Sequence, residues 1–211
     1  MKNMLGMNAL AEVAGPLKDF AEKLGGSDGN NWLDAFKRFL RKENPWEGSI
    51  ISIDRTKPFD PVAFIGKGWS VWRGPSDGNG LEGEEDQDER SLNITELDLS
   101  KIRSVTTLKG KEKEITGREN LKRLKASGNI RLDAKVFQTF WENQHLIPEL
   151  WQEEVNGNIR FVYFEGTVLR SPSGNRCILF LFFNGGRWYW YYAWLGDGRN
   201  VDYPSAVLAS A

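Results

Sequence analysis

The 211 residues carry 28 basic and 29 acidic side chains, a formal net charge of −1, and nine tryptophans among 12% aromatic residues. A near-neutral balance argues against a dedicated nucleic-acid or polyphosphate binder, which normally shows a basic excess. One cysteine, Cys177, excludes an intramolecular disulfide and fits a reducing compartment.

No window reaches the ~18 apolar residues needed to cross a bilayer. Asn3, Asn8 and Glu12 interrupt the apolar residues of the N-terminus, so it does not read as a signal peptide. The expected location is the cytoplasm, with no membrane partner.

In chain order, Leu10, Val13, Ala14, Leu17, Ala21 and Leu24 form one stripe of an amphipathic helix over about 8–24, which Pro16 should start or kink. After the Gly25–Gly29 break, Trp32, Leu33, Phe36, Phe39 and Leu40 define a second helix, capped by Asn30 or Asn31 and ended by Asn44-Pro45. Its outer face carries Lys37, Arg38, Arg41 and Lys42, which reads as a solvated face with cations near the helix C-terminus. This helical segment, 1–44, is expected to precede an α+β body over 45–211.

In the body, Ser49–Ile53 and the region of Phe64-Ile65 and Trp69–Trp72 are β-prone, and Ser91–Arg103 suits a strand better than a helix. Thr116-Gly117-Arg118-Glu119 matches a capping box and opens a helix that Gly128 closes. Asp133 can cap a further helix that puts Val136, Phe137, Phe140 and Trp141 on one face, and Pro148 opens a short turn.

Three hydrophobic runs follow, Ile159–Leu169, Cys177–Phe183 and Trp188–Leu195, separated by Ser171-Pro172-Ser173-Gly174-Asn175 and Asn184-Gly185-Gly186. They read as an antiparallel β-meander. A type I′ turn on Asn184-Gly185 would pair Leu181 with Trp188, Leu179 with Trp190 and Cys177 with Tyr192. Both faces of this sheet would then be apolar, so helices should cover each, from around Phe137 to Trp141 and around Trp32 and Phe36. The tail from Gly196 shows little periodicity.

The strings Leu33–Trp46, Asp77–Leu92, Leu132–Trp151 and Pro204–Ser210 together resemble an uncharacterised bacterial hypothetical-protein family. That resemblance implies a bacterial origin and brings no activity, ligand or fold with it.

Candidate chemistry is sparse. In the acidic stretch 74–90, Asp77 and Asn79 precede Gly80 as in a calcium loop, with Asp86 at the twelfth position and Glu82 and Glu84 as further oxygens. Pro75, at the first position, cannot ligate through its side chain. His145 and Cys177 are each the only residue of their kind, which excludes the usual zinc sites, and Cys177 within a hydrophobic run reads as inert packing. No phosphate-loop, nucleophile-elbow or zinc-protease motif is present.

The aromatic row of the meander reads mainly as core, with any groove at its rim: Trp190, Tyr192 and Trp194 beside Asp197 and Arg199. The expected function is a non-enzymatic cytoplasmic binding or protein-interaction protein. The alternatives are an aromatic-platform binder of carbohydrate or nucleic acid, a carbohydrate-active protein, or calcium binding through the 77–86 loop. No cofactor other than calcium is implied.

Overall fold

The computed structural model describes residues 7–27, 29–40, 50–74 and 86–209, which fall into two compact units, residues 1–49 and 50–211. In the first unit, helix α1 (Met7–Leu24) runs through Pro16 rather than starting there, and α2 spans Gly29–Leu40. Phe20 and Phe36 pack with ring centroids 4.7 Å apart, and Lys23 lies 4.2 Å from the Trp32 ring. The helix opens at Gly29, ahead of the expected Asn caps. A Cβ at Gly29 would sit 2.2 Å from the Leu24 carbonyl oxygen, so only glycine permits that entry.

The second unit is α+β, built on a mixed sheet in the order β4–β11–β7–β8–β9. Its strands are β4 (Ile102–Val105), β11 (Ser205–Leu208), β7 (Phe161–Arg170), β8 (Arg176–Asn184) and β9 (Arg187–Trp194). Two short strands extend it: β2 (Ser70–Val71) pairs with β7, and β6 (Ile130–Arg131) pairs with β11. Small two-stranded sheets join β1 (Ile50–Ser52) to β3 (Glu96–Asp98), and β5 (Ile115–Thr116) to β10 (Gly198–Arg199).

The meander forms over the expected runs with antiparallel pairing as expected, but two further expectations are corrected, the sheet around it and its register. First, the sheet is not purely antiparallel, because the unpatterned tail supplies β11, which lies between β4 and β7 and runs parallel to β7. Four residues are too few to display a period.

Second, the turn is Gly185-Gly186, closed by Asn184 opposite Arg187, so Leu181 pairs with Trp190, Leu179 with Tyr192 and Cys177 with Trp194. Both glycines have positive φ, 56° and 82°, as a type I′ turn demands of its two central residues, and glycine takes that conformation at less cost than asparagine. The register moves by two residues. Because side chains alternate with period two, every residue keeps its face.

The inner face holds Cys177, Leu179, Leu181, Trp188, Trp190 and Tyr192. Helix α6 (Ala134–Glu142) covers it: Phe137 meets Phe164 at 5.3 Å and Trp190 at 6.1 Å, and Phe140 meets Trp151 at 5.7 Å. The outer face carries Ile178, Phe180 and Ala193 from β8 and β9, with Tyr163 and Val168 from β7. Helix α5 (Gly117–Ala126), capped by the Thr116 hydroxyl while the Glu119 side chain pairs with Arg123, lays Leu121 over part of that face.

In the middle of the chain β1, β2 and β3 form within the expected β-prone runs, and two short helices replace other parts of them. Asp88 accepts a hydrogen bond from the Arg90 amide and starts a one-turn helix, α4 (Glu89–Leu92). Likewise Asp60 and Pro61 start α3 (Pro61–Phe64) where a strand was expected. In both places an Asp side chain captures free amides and overrides the β-prone residues that follow.

A polar knot locks these pieces together. The buried Asp133 carboxylate caps α6, accepts two hydrogen bonds from Arg55 at 3.0 and 2.8 Å, and accepts the Ser91 hydroxyl at 2.6 Å. At Gly166, where β7 breaks its register with β8, a Cβ would lie 2.2 Å from the Arg131 carbonyl oxygen, so the β6 backbone crosses against glycine alone.

Candidate aromatic binding pocket

The outer face beyond α5 is paved with rings. Phe161 meets Phe180 at 5.6 Å, Phe182 at 5.2 Å and Tyr203 at 5.2 Å; Phe182 stacks on Tyr189 at 5.3 Å; Phe180 meets Tyr191 at 6.3 Å. The paving follows from register: Phe161 opposes Phe182, which opposes Tyr189, and Tyr163 opposes Phe180, which opposes Tyr191. Tyr191 is 56% exposed.

At the β7 side the paving dips into a pocket of about 410 Å3. Phe161, Tyr163, Phe180 and Tyr203 supply aromatic walls, and Glu114, Asp197 and Arg199 supply charge. Arg199 is 2% exposed, and its guanidinium lies 4.2 Å from the Tyr163 ring centre, within cation–π range. It donates to the Gly198 and Trp194 carbonyls at 3.0 and 3.3 Å, while its Nε has no hydrogen-bond partner among the described residues. Glu114 reaches the pocket because position 198 is glycine: a Cβ there would fall 2.3 Å from the Glu114 carboxyl carbon.

Behind the pocket lies Glu165, fully buried on β7. Its carboxylate accepts the Asn120 amide at 2.9 and 3.0 Å, and Asn120 in turn accepts the Thr107 hydroxyl at 2.6 Å. Burial raises the Glu165 pKa to about 7, against the opposing pull of Arg199, the Asn120 hydrogen bond and Arg131. Burial likewise raises the Tyr163 phenol to about 12, so it stays neutral beside Arg199.

Of the residues read as a groove, Asp197 and Arg199 line this pocket, and Tyr192 touches its rim from a strand position that faces inward. Trp190 instead packs inward on Phe64, Phe137 and Trp141, and the Tyr192 ring lies 4.5 Å from Trp69. Trp194 is 49% exposed, at the end of β9. Its amide donates to the exposed Asp197 carboxylate at 3.0 Å.

The walls themselves escaped sequence reasoning. Phe161 and Tyr163 alternate within β7, which is a usable signal, but Tyr203 and Glu114 are isolated in sequence and only the fold brings them in.

Asp77, Asn79, Glu82 and Glu84 lie outside the described residues. Asp86 pairs with Lys125 at 2.9 Å and Arg131 at 3.2 Å. Among the described residues, no group of three or more His, Cys, Asp or Glu side chains could hold a metal ion. Cys177 is fully buried, and burial pushes its thiol to about 12. His145 is exposed in a short 3-10 helix, Gln144–Leu146. No described helix is long and apolar enough to cross a membrane.

A larger, open cleft of about 1210 Å3 lies between α3, α4 and α6, over the Arg55–Asp133 pair. Its floor is self-satisfied, since Arg55 also donates to the Ile94 and Ser91 carbonyls, both at 2.8 Å. Arg73 and Asp86, near the two ends of the undescribed stretch 75–85, border it.

No family model, curated protein or solved structure matches the chain.

Proposed function

We propose that the protein is a carbohydrate-binding protein whose site is the aromatic pocket of the outer sheet face. The carrying observation is the combination in one concavity of four aromatic walls, two carboxylates and a buried guanidinium. Aromatic faces stack on the apolar C–H face of a sugar ring, while carboxylates hydrogen-bond its hydroxyls. The volume of about 410 Å3 falls in the range of roughly 300–1,000 Å3 usual for small-ligand sites.

Electrostatics favours a neutral sugar over a nucleotide. Glu114 and Asp197 would repel phosphate, and the Arg199 charge is already spent on the Tyr163 ring and backbone carbonyls. The Glu165 carboxyl, although poised near neutral pH, does not line the pocket, which favours binding over catalysis.

The test is a glycan array followed by calorimetric titration with the best neutral oligosaccharide. Tyr203→Ala should weaken binding at least about tenfold, the equivalent of roughly 1.4 kcal/mol, with the fold intact by circular dichroism. An array that retains no neutral glycan, or a Tyr203→Ala variant that binds as tightly as the parent, would end this reading.

A further inference from the structure

Among the described residues, strand β9 is the last of the sheet and pairs only with β8. The Asn184–Arg187 closure makes Arg187, Tyr189, Tyr191 and Ala193 the hydrogen-bonded positions toward β8. The N–H and C=O groups of Trp188, Trp190 and Tyr192 therefore point away from the sheet. Trp194, next in that series, has its N–H taken by Asp197. The free edge is a run symmetric about Trp190.

Among the described residues this edge lacks three of the usual guards. Soluble proteins blunt an open edge with charge, proline or a bulge. Between Arg187 and Asp197 there is no charged residue and no proline, and the β8–β9 register is unbroken from Asn184 to Trp194. An unguarded edge with such aromatic content is a template for another strand.

We propose that this edge pairs antiparallel with the β9 edge of a second copy, about a two-fold axis through Trp190, giving one sheet continuous across both. The inference stands apart from the carbohydrate reading. Two features of β9 select a second copy over an unrelated strand.

The first is that placing the axis at Trp190 puts Trp188 opposite Tyr192 of the other copy, so every outward N–H and C=O of the run finds a partner. The second concerns the two exposed aromatics of β9, Tyr191 at 56% and Trp194 at 49%. In this register Tyr191 opposes Tyr189 of the other copy, an aromatic cross-strand pair. Trp194 opposes Gly186, where the absence of a side chain leaves room for the indole. The strand is complementary to itself, as an isologous interface requires.

Sedimentation velocity over a dilution series should give a dimer mass. Tyr191→Lys, at an exposed position, should convert it to a monomer with an unchanged circular dichroism spectrum, because the two introduced charges would lie diagonally across the shared edge. Register is read by cross-linking. Residues 189 and 191 of opposite copies would form a non-hydrogen-bonded pair with Cα atoms about 4.5 Å apart, within disulfide reach of about 4.4–6.8 Å.

The double variant Tyr189→Cys/Tyr191→Cys should therefore form a covalent dimer on mild oxidation, and neither single variant should. The buried Cys177 stays out of the reaction. A monomer mass at every concentration, a dimer insensitive to Tyr191→Lys, or cross-linking by a single-cysteine variant would overturn the proposal.

Discussion

Glu165 shows how one residue couples the core to the pocket. Its carboxyl faces Asn120 and Ser205, with Arg199, Arg131 and Tyr163 as the nearby titratable groups. The folded pKa, about 7, lies above the ordinary value of 4.5. Below about 4.5 both folded and unfolded states are protonated and Glu165 adds no pH dependence. Between about 4.5 and about 7 the folded state holds the extra proton, so stability falls as pH rises.

A shift of this size corresponds to about 3 kcal/mol once complete. Glu165→Gln, which still accepts the Asn120 hydrogen bond, should remove that slope and stabilise the protein above neutral pH. Urea midpoints measured across this window for both proteins check it. Parallel curves would mean that Glu165 does not titrate there.

At the scale of elements, the decisive pieces are joined by capped helix starts. Asp133 both caps α6 and neutralises Arg55, whose side chain is 17% exposed. Removing one partner of a buried pair leaves the other charge uncompensated, at a cost of about 3–5 kcal/mol. Asp133→Ala should lower the unfolding free energy by about that much in urea titrations; a loss below about 1 kcal/mol would assign the pair to the weak surface class. The cap was legible in sequence, as was the Thr116 box, because both are local patterns of four residues. The Arg55 partner, 78 positions away, was not.

The whole sheet depends on the chain's last strand. β11 pairs with β4, β6 and β7, and the buried Ser205 hydroxyl accepts the Asn120 amide at 3.1 Å. Deleting residues 204–211 would strip pairing from the inner edges of β4 and β7 at once and remove the buried Ala206 and Val207 from the core. The truncated chain should lose its cooperative thermal transition by calorimetry. A transition within a few degrees of the parent's would show β11 to be peripheral.

The sequence by itself determined the helix starts at Thr116 and Asp133, the three long strands of the meander and the face of each aromatic within β8 and β9. These follow from short-range rules: capping, turn chemistry and a side-chain period of two, which survives even a register error of two. Only the tertiary structure decided where β11 inserts and which half of the outer face α5 covers. It alone brought Phe161, Tyr163, Phe180, Tyr203, Glu114 and Arg199 around one pocket. Those outcomes depend on contacts between segments far apart in the chain, set by competing burial of apolar faces and by a close crossing such as that at Gly166, and no local pattern encodes them.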